Sequence, residues 1–242
     1  MSDSKNQPGT DDKVSLGDED ESIKVLEESV MRLWEVVNNL TRLKPSKRGE
    51  FHVTIFGSAR IQPEHWVYEA VRDLATELAE MGCGIVTGGG PGLMQAANEG
   101  AAMAGPEAKE RSMGIRVHLP FEQGTNPFVG QVFEHRTFFS RLHHFVLVSE
   151  AFVVLPGGIG TTMELMMVWQ LLQVRKLRKT PLILMGNMWE DLVEWSKKYM
   201  LRPELEMANK EDLLIPQCVQ TAKETIGLIR SCHQDWLKSE NI

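Results

Sequence analysis

The residues with the clearest chemical potential form one run, Pro156-Gly157-Gly158-Ile159-Gly160-Thr161-Thr162-Met163-Glu164. Glycines at a strand-to-helix turn let the backbone approach an anion closely, and the helix that follows offers unpaired N–H groups. The turn therefore reads as a cradle for a phosphate. Glu164 follows Gly160 by four residues, so on a helix starting near Gly160 its carboxylate falls on the same face, one turn down. Two readings of Glu164 fit that spacing. It is a first-turn acid favoured by the helix dipole, or a group aimed at the sugar of a nucleotide whose phosphate sits on the turn.

Two further turns carry the same chemistry, Gly57-Ser58-Ala59-Arg60 and Gly88-Gly89-Gly90-Pro91-Gly92. Taken singly, each set of glycines can simply make a tight turn, and Ser58 can simply be a helix N-cap. Three such turns at one sheet edge favour a phosphorylated ligand, with Ser58, Arg60, Gly89 and Gly90 as further candidate contacts. None matches GxGxxG with an acidic residue at the ribose distance, which disfavours a nicotinamide enzyme, and none matches GxxxxGK[ST]. No HExxH or comparable cluster appears, so neither a metal nor a cofactor is expected. His143 and His144 are adjacent, which on a helix points them about 100° apart and makes them poor joint ligands. Met94, Met103, Met113, Met163, Met166 and Met167 read as core filler rather than a cofactor box.

These turns need elements to hold them, and the hydrophobic pattern supplies strand–helix alternation from Phe51 onward. Strands are expected at Phe51–Phe56, Cys83–Thr87, Met113–Leu119, Ala151–Leu155 and Pro181–Met185, with extended segments at Phe128–Phe133 and Leu213–Ile215. Helices are expected at Glu64–Met81, Leu93–Ala104, Thr137–Val148, Thr161–Val174, Trp189–Met200 and Val219–Leu237. Short apolar strands alternating with helices imply a doubly wound, Rossmann-like α/β domain over residues 50–240, its parallel sheet covered on both faces. In such a sheet ligands bind beyond the carboxyl ends of the strands, where all three glycine turns fall.

Ahead of this domain, residues 1–21 are polar and acidic and read as a disordered tail. Ile23, Leu26, Val30, Leu33, Val37 and Leu40 then recur every three or four residues, an amphipathic helix over 22–44 that docks on the domain or on a partner subunit. Of the net charge of −7, −5 lies in residues 1–22, so the body is nearly neutral and carries no footprint for nucleic acid. The three cysteines, Cys83, Cys218 and Cys232, lack CxxC spacing and read as reduced thiols. No run approaches the roughly 18 apolar residues of a membrane span, and the N-terminus is unlike a signal peptide. A cytoplasmic location follows as the expectation.

The nine-residue run resembles the signature of the LONELY GUY family, once labelled lysine decarboxylases. The likeness extends to Phe56–Arg60, Gly88–Met94, Gly114–Gln123 and Phe138–Arg141, and spans residues 50–230. It implies a phosphoribohydrolase, which cuts the N-glycosidic bond of a nucleoside 5′-monophosphate to give free base and ribose 5-phosphate. By that resemblance Glu164 is the catalytic glutamate and Arg141 the catalytic arginine. Gly157, Gly158, Gly160 and Thr161 then hold the phosphate through backbone N–H groups and the threonine hydroxyl, and the chain forms a homodimer or higher homo-oligomer. Leu142 departs from the lysine common after that arginine. The segment His118–Gln123 is similar to a longer-chain bacterial branch, which favours an AMP-like purine nucleotide over a cytokinin precursor. Glu122 and Asn126 are further possible ligand contacts. The rival from another class is a non-catalytic carrier of a nucleotide or of the molybdenum cofactor.

Overall fold

The computed structural model describes residues 19–40, 49–118, 124–177 and 180–240. Residues 1–18 of the acidic tail, Pro45, Glu122 and Lys179 lie outside them, as do the side chains of residues 33–40. Helix α1 (Glu19–Leu40) belongs to a unit of its own. Glu19, Asp20 and Glu21 occupy its first turn, where the helix dipole favours acids, and Ile23, Leu26 and Val30 are exposed along it.

The second unit begins with β1 (His52–Phe56) and α2 (Trp66–Glu80), then β2 (Gly84–Thr87), α3 (Leu93–Met103) and the short α4 (Pro106–Glu110). It continues with β3 (Met113–Val117), β4 (Gln131–His135), α5 (Phe138–Val148), β5 (Ala151–Val154) and α6 (Ile159–Gln173). The chain then forms β6 (Leu182–Met185), α7 (Asn187–Met200) and a two-stranded antiparallel hairpin, β7 (Leu201–Arg202) with β8 (Leu205–Glu206). A 3-10 turn (Lys210–Leu214), β9 (Pro216–Val219) and α8 (Ala222–Glu240) complete it.

Seven strands make one all-parallel sheet in the order β4-β3-β2-β1-β5-β6-β9, the doubly wound α/β arrangement expected. Alternation along the strands divides the core in two. Val53, Ile55, Ala151 and Val153 face α2, α3 and α8, with Leu74, Leu78, Ala97 and Ile229 buried among them. Phe56, Phe152 and Val154 face α5, α6 and α7, with Phe145, Leu165, Val168 and Trp189. The order reverses between β1 and β5, so the chain leaves these neighbours toward opposite faces and opens a crevice at their carboxyl ends.

Several local features differ from expectation. Leu213–Ile215 is not extended: Leu213 and Leu214 belong to the 3-10 turn, stabilised by an Asn209–Asp212 capping box, and the strand starts at Pro216. Ser58 is not the N-cap of α2. That helix starts later, at Trp66, where the His65 ring accepts from Val67 N, and Ser58 Oγ instead accepts from Arg60 N at 3.2 Å. Met103, Met163 and Met166 are exposed rather than core, because the helices carrying them are apolar on more than their inward face.

Candidate active site

The three glycine turns meet at the carboxyl edge of β1, β2 and β5 and are tied together through the backbone. Ser58 N donates to Pro156 O at 3.1 Å, and Leu93 N donates to Ser58 O at 2.9 Å. Gly57 is buried between the second and third turns. A Cβ there would lie 2.9 Å from Leu93 Cβ and 3.3 Å from Leu155 Cβ, so only glycine fits. Arg60 is exposed at the far end of the first turn.

The third turn opens α6. Gly158 is its N-cap without a side-chain cap bond, and the first N–H groups of a helix have no partner within it. Gly158 and Gly160 are exposed, with nothing within 4 Å of where a Cβ would stand. Thr161 is buried against Gly157, where any Cβ would collide with the threonine hydroxyl. The face is thus open to a ligand while the turn beneath it is packed.

One turn down, Glu164 is buried, and Arg141 Nη1 donates to its Oε1 at 2.8 Å. The two side chains are 9% and 11% exposed, so their attraction is little screened. Arg141 Nε donates to Ile115 O in the middle of β3 (2.9 Å), and the guanidinium carbon lies 5.1 Å from the Phe145 ring centre. Burial pushes the Glu164 carboxyl up from the ordinary carboxylate range, while the charge and hydrogen bond of Arg141 pull against it. Leu142 is buried with Phe145 and Val148 on the inward face of α5, so the departure from lysine falls on the core side of that helix.

The second turn is built differently. Gly89 N–H donates to Thr87 Oγ1 at 2.9 Å, and the Gly89 carbonyl accepts from Asn126 N at 2.9 Å. Asn126 Nδ2 donates to Gly90 O (3.0 Å) and to Asn98 Oδ1 (3.0 Å). Asn98, fully buried, also accepts from Thr87 Oγ1 and donates to Ser112 Oγ, each at 2.7 Å. Asn126 therefore braces this turn.

Other groups at this edge carry no spacing signal in the sequence. Arg116 lies along Gly89, donates to Thr125 Oγ1 at 2.9 Å and sits 3.7 Å from Glu134, its cross-strand neighbour. His144 turns away from His143, and its Nδ1 lies 2.9 Å from His135 Nε2. Burial and the nearby Arg141 hold His135 below the ordinary imidazole value. His135 is the last residue of the exposed strand β4, and nothing local in the sequence pairs it with His144. Among the described residues no group of three or more His, Cys, Asp or Glu is placed to hold a metal ion, and no helix is long and apolar enough to cross a membrane. The three cysteines are free, and burial pushes the Cys83 thiol up to about 12.

With an open helix N-terminus above a buried acid–guanidinium pair, the fold and site define a Rossmann-like protein with a crevice at the sheet's carboxyl edge. The family model described as "possible lysine decarboxylase" matches residues 94–229, more than half of the chain and the part holding Arg141 and Glu164. The chain belongs to this family, that of the LONELY GUY proteins. The pyrimidine/purine nucleotide 5′-monophosphate nucleosidase of Escherichia coli strain K12 is 29% identical over 140 residues, which cover 55% of this chain and 30% of that protein. The O157:H7 strain has a counterpart with the same figures. The chain thus spans about a third of the length of the curated relatives it matches. Among solved structures, the molybdenum cofactor carrier protein of Chlamydomonas reinhardtii is 17% identical with a TM-score of 0.55, covering 76% of this chain and 99% of its own. The molybdenum cofactor binding protein of Rippkaea orientalis is 18% identical with a TM-score of 0.55, covering 77% and 98%. At those identities the likeness is one of fold.

Proposed function

We propose that the chain hydrolyses the N-glycosidic bond of nucleoside 5′-monophosphates, with AMP-like purine nucleotides preferred, releasing free base and ribose 5-phosphate. The observation that carries this reading is the buried Arg141–Glu164 pair one turn below the open N-terminus of α6. Membership of the family and the likeness to the E. coli nucleosidases support it.

In this reading the 5′-phosphate rests on the N–H groups of Gly157, Gly158, Gly160 and Thr161, favoured by the helix dipole. Ser58 and Arg60 border the same crevice from the first turn. Cleavage builds positive charge on the ribose, and a carboxylate held in a dry site stabilises it strongly. Water attacks C1′, the bond from C1′ to the base nitrogen breaks, and its electron pair leaves with the base, which takes up a proton. Glu164, whose charged form Arg141 favours against the effect of burial, orients the water and receives the proton it sheds. Arg141 has no proton to give at neutral pH, so it acts through its charge.

A homodimer is part of the proposal. Phe139 (82% exposed) and Ile159 (88% exposed), with Phe138, Met163 and Met166, form apolar surface on α5 and α6 of the kind that a second subunit covers.

The replacement of the usual lysine by Leu142 favours one competing reading, a carrier that binds a nucleotide or pterin cofactor at this edge without cleaving it. Purified protein incubated with a panel of nucleoside monophosphates, with free base quantified, separates the two. Release of base from at least one nucleotide is expected. Tight binding with no release from any of them selects the carrier. Glu164→Gln should abolish release and leave nucleotide affinity within a few-fold.

A further inference from the structure

We propose that the second glycine turn, Gly88-Gly89-Gly90, is a seat that positions the Arg141 guanidinium against Glu164, with Asn126 as its latch, rather than a phosphate-binding turn. The proposal rests on the reading of Arg141 and Glu164 as the reacting pair.

A phosphate-binding turn needs N–H groups free to face the ligand. Here the Gly89 N–H is spent on Thr87 Oγ1, and the Gly89 and Gly90 carbonyls are both held by Asn126. The residue is also packed on its other side by the Arg116 stem, whose Cγ would stand 3.1 Å from a Cβ at Gly89. Asn98 locks the arrangement from beneath: it accepts from Thr87 and Asn126 and donates to Ser112, and all four side chains are buried. A half-satisfied version of such a network would be costly, so the turn has one geometry. The third turn is the opposite case, with exposed glycines and an uncapped helix start.

What the second turn does present to the crevice is space. A Cβ at Gly88 would stand 2.5 Å from Arg141 Nη2 and 2.7 Å from Met94 Sδ. The guanidinium therefore occupies a slot that exists only because residue 88 has no side chain. Its other contacts, Ile115 O and Glu164 Oε1, fix two of the three nitrogens, and the Gly88 wall confines the third. Asn126 holds the wall, so Gly88 and Asn126 are positioning residues that act through Arg141.

Gly88→Ala, Asn126→Ala and Gly157→Ala, each in the full chain, distinguish a seat from a phosphate site. Three readouts are taken: the Kd of ribose 5-phosphate by calorimetry, kcat on AMP, and the titration of Glu164 followed by carboxyl 13C NMR. For Gly88→Ala we expect kcat to fall at least tenfold, ribose 5-phosphate affinity to stay within twofold, and the Glu164 titration to move to higher pH as Arg141 is displaced. Asn126→Ala should move the same two quantities in the same directions by less. Gly157→Ala, whose Cβ meets Thr161, should instead weaken ribose 5-phosphate at least tenfold. If Gly88→Ala weakens ribose 5-phosphate tenfold with the Glu164 titration unmoved, the turn is a phosphate site and the seat is overturned. Should Gly88→Ala fail to fold, Asn126→Ala carries the same readouts, and an unmoved Glu164 titration there overturns the seat equally. Absence of turnover in the unaltered chain would count against hydrolysis alone, since the NMR titration still decides where Arg141 sits.

Discussion

Replacing Arg141 by methionine keeps most of the side-chain length and removes the charge, so it isolates what the buried pair contributes. Both side chains are about a tenth exposed and 2.8 Å apart. Removing one partner of a pair buried this well costs about 3–5 kcal/mol, because a carboxylate is left uncompensated in a dry site. A solvent-exposed pair would cost under about 1 kcal/mol. Ile115 O loses its donor as well, worth about 1 kcal/mol more. The protein can escape part of this by protonating Glu164, whose carboxyl burial already pushes up. In Arg141→Met the opposing pull is gone, so the folded-state value rises further above the unfolded one. The folded state then binds more protons than the unfolded state, and the stability of the variant falls as pH rises until it passes the folded value. The loss relative to the unaltered chain should be smaller at pH 5.5 than at pH 8. Urea denaturation followed by tryptophan fluorescence at both pH values measures it, and Arg141→Met/Glu164→Gln should recover most of the loss. A loss below about 1 kcal/mol, or one equal at the two pH values, would refute the claim that the pair is buried and coupled.

The pH profile of base release should carry an acid limb set by Glu164. The carboxylate is the active form and burial raises its titration, so activity should be lost on acidification at a pH above that of a free glutamate, and a limb at or below the free value would sink the assignment. Ile159→Lys puts a charge on the 88%-exposed apolar start of α6, and sedimentation should then report a monomer where the unaltered chain sediments as a dimer. A monomeric unaltered chain would remove the dimer from the proposal.

Much of the architecture was legible because strand and helix periodicities are local. β1, β2, β5 and β6 each fall within the apolar runs that announced them, and α6 starts within two residues of its expected position. Where local signals mislead, a tertiary cause is visible. The expected extended segment Phe128–Phe133 gives way to β4 at Gln131–His135, because Gly130 and Gln131 amides bond to Ser112 O and set the register. His65 caps α2 although histidine is an uncommon cap, while the Ser58 hydroxyl, with a cap residue's chemistry, accepts from the Arg60 amide instead. The spacing of Glu164 from Gly160 was readable, since both lie on one helix. Its contact with Arg141 was not readable from spacing, because β5 intervenes and only the sheet brings α5 beside α6. The Asn98–Asn126 brace had no signature at all. A buried asparagine and an exposed one look alike until the partners of their amides are known.

The contrast between the second and third glycine turns also has a consequence in time. An amide exchanges its hydrogen with solvent only when its bond opens, and Gly89 N–H is bonded beneath the surface to Thr87, itself held by Asn98. Release of that amide requires the buried Thr87–Asn98 brace to open, a slow event. Gly158 and Gly160, at the uncapped start of α6, are exposed, so fast amide exchange is expected there. One crevice thus has a wall that keeps its hydrogens for as long as the sheet holds and a rim that surrenders them at once. A nucleotide bound at the rim, as proposed, should slow exchange there without altering the wall.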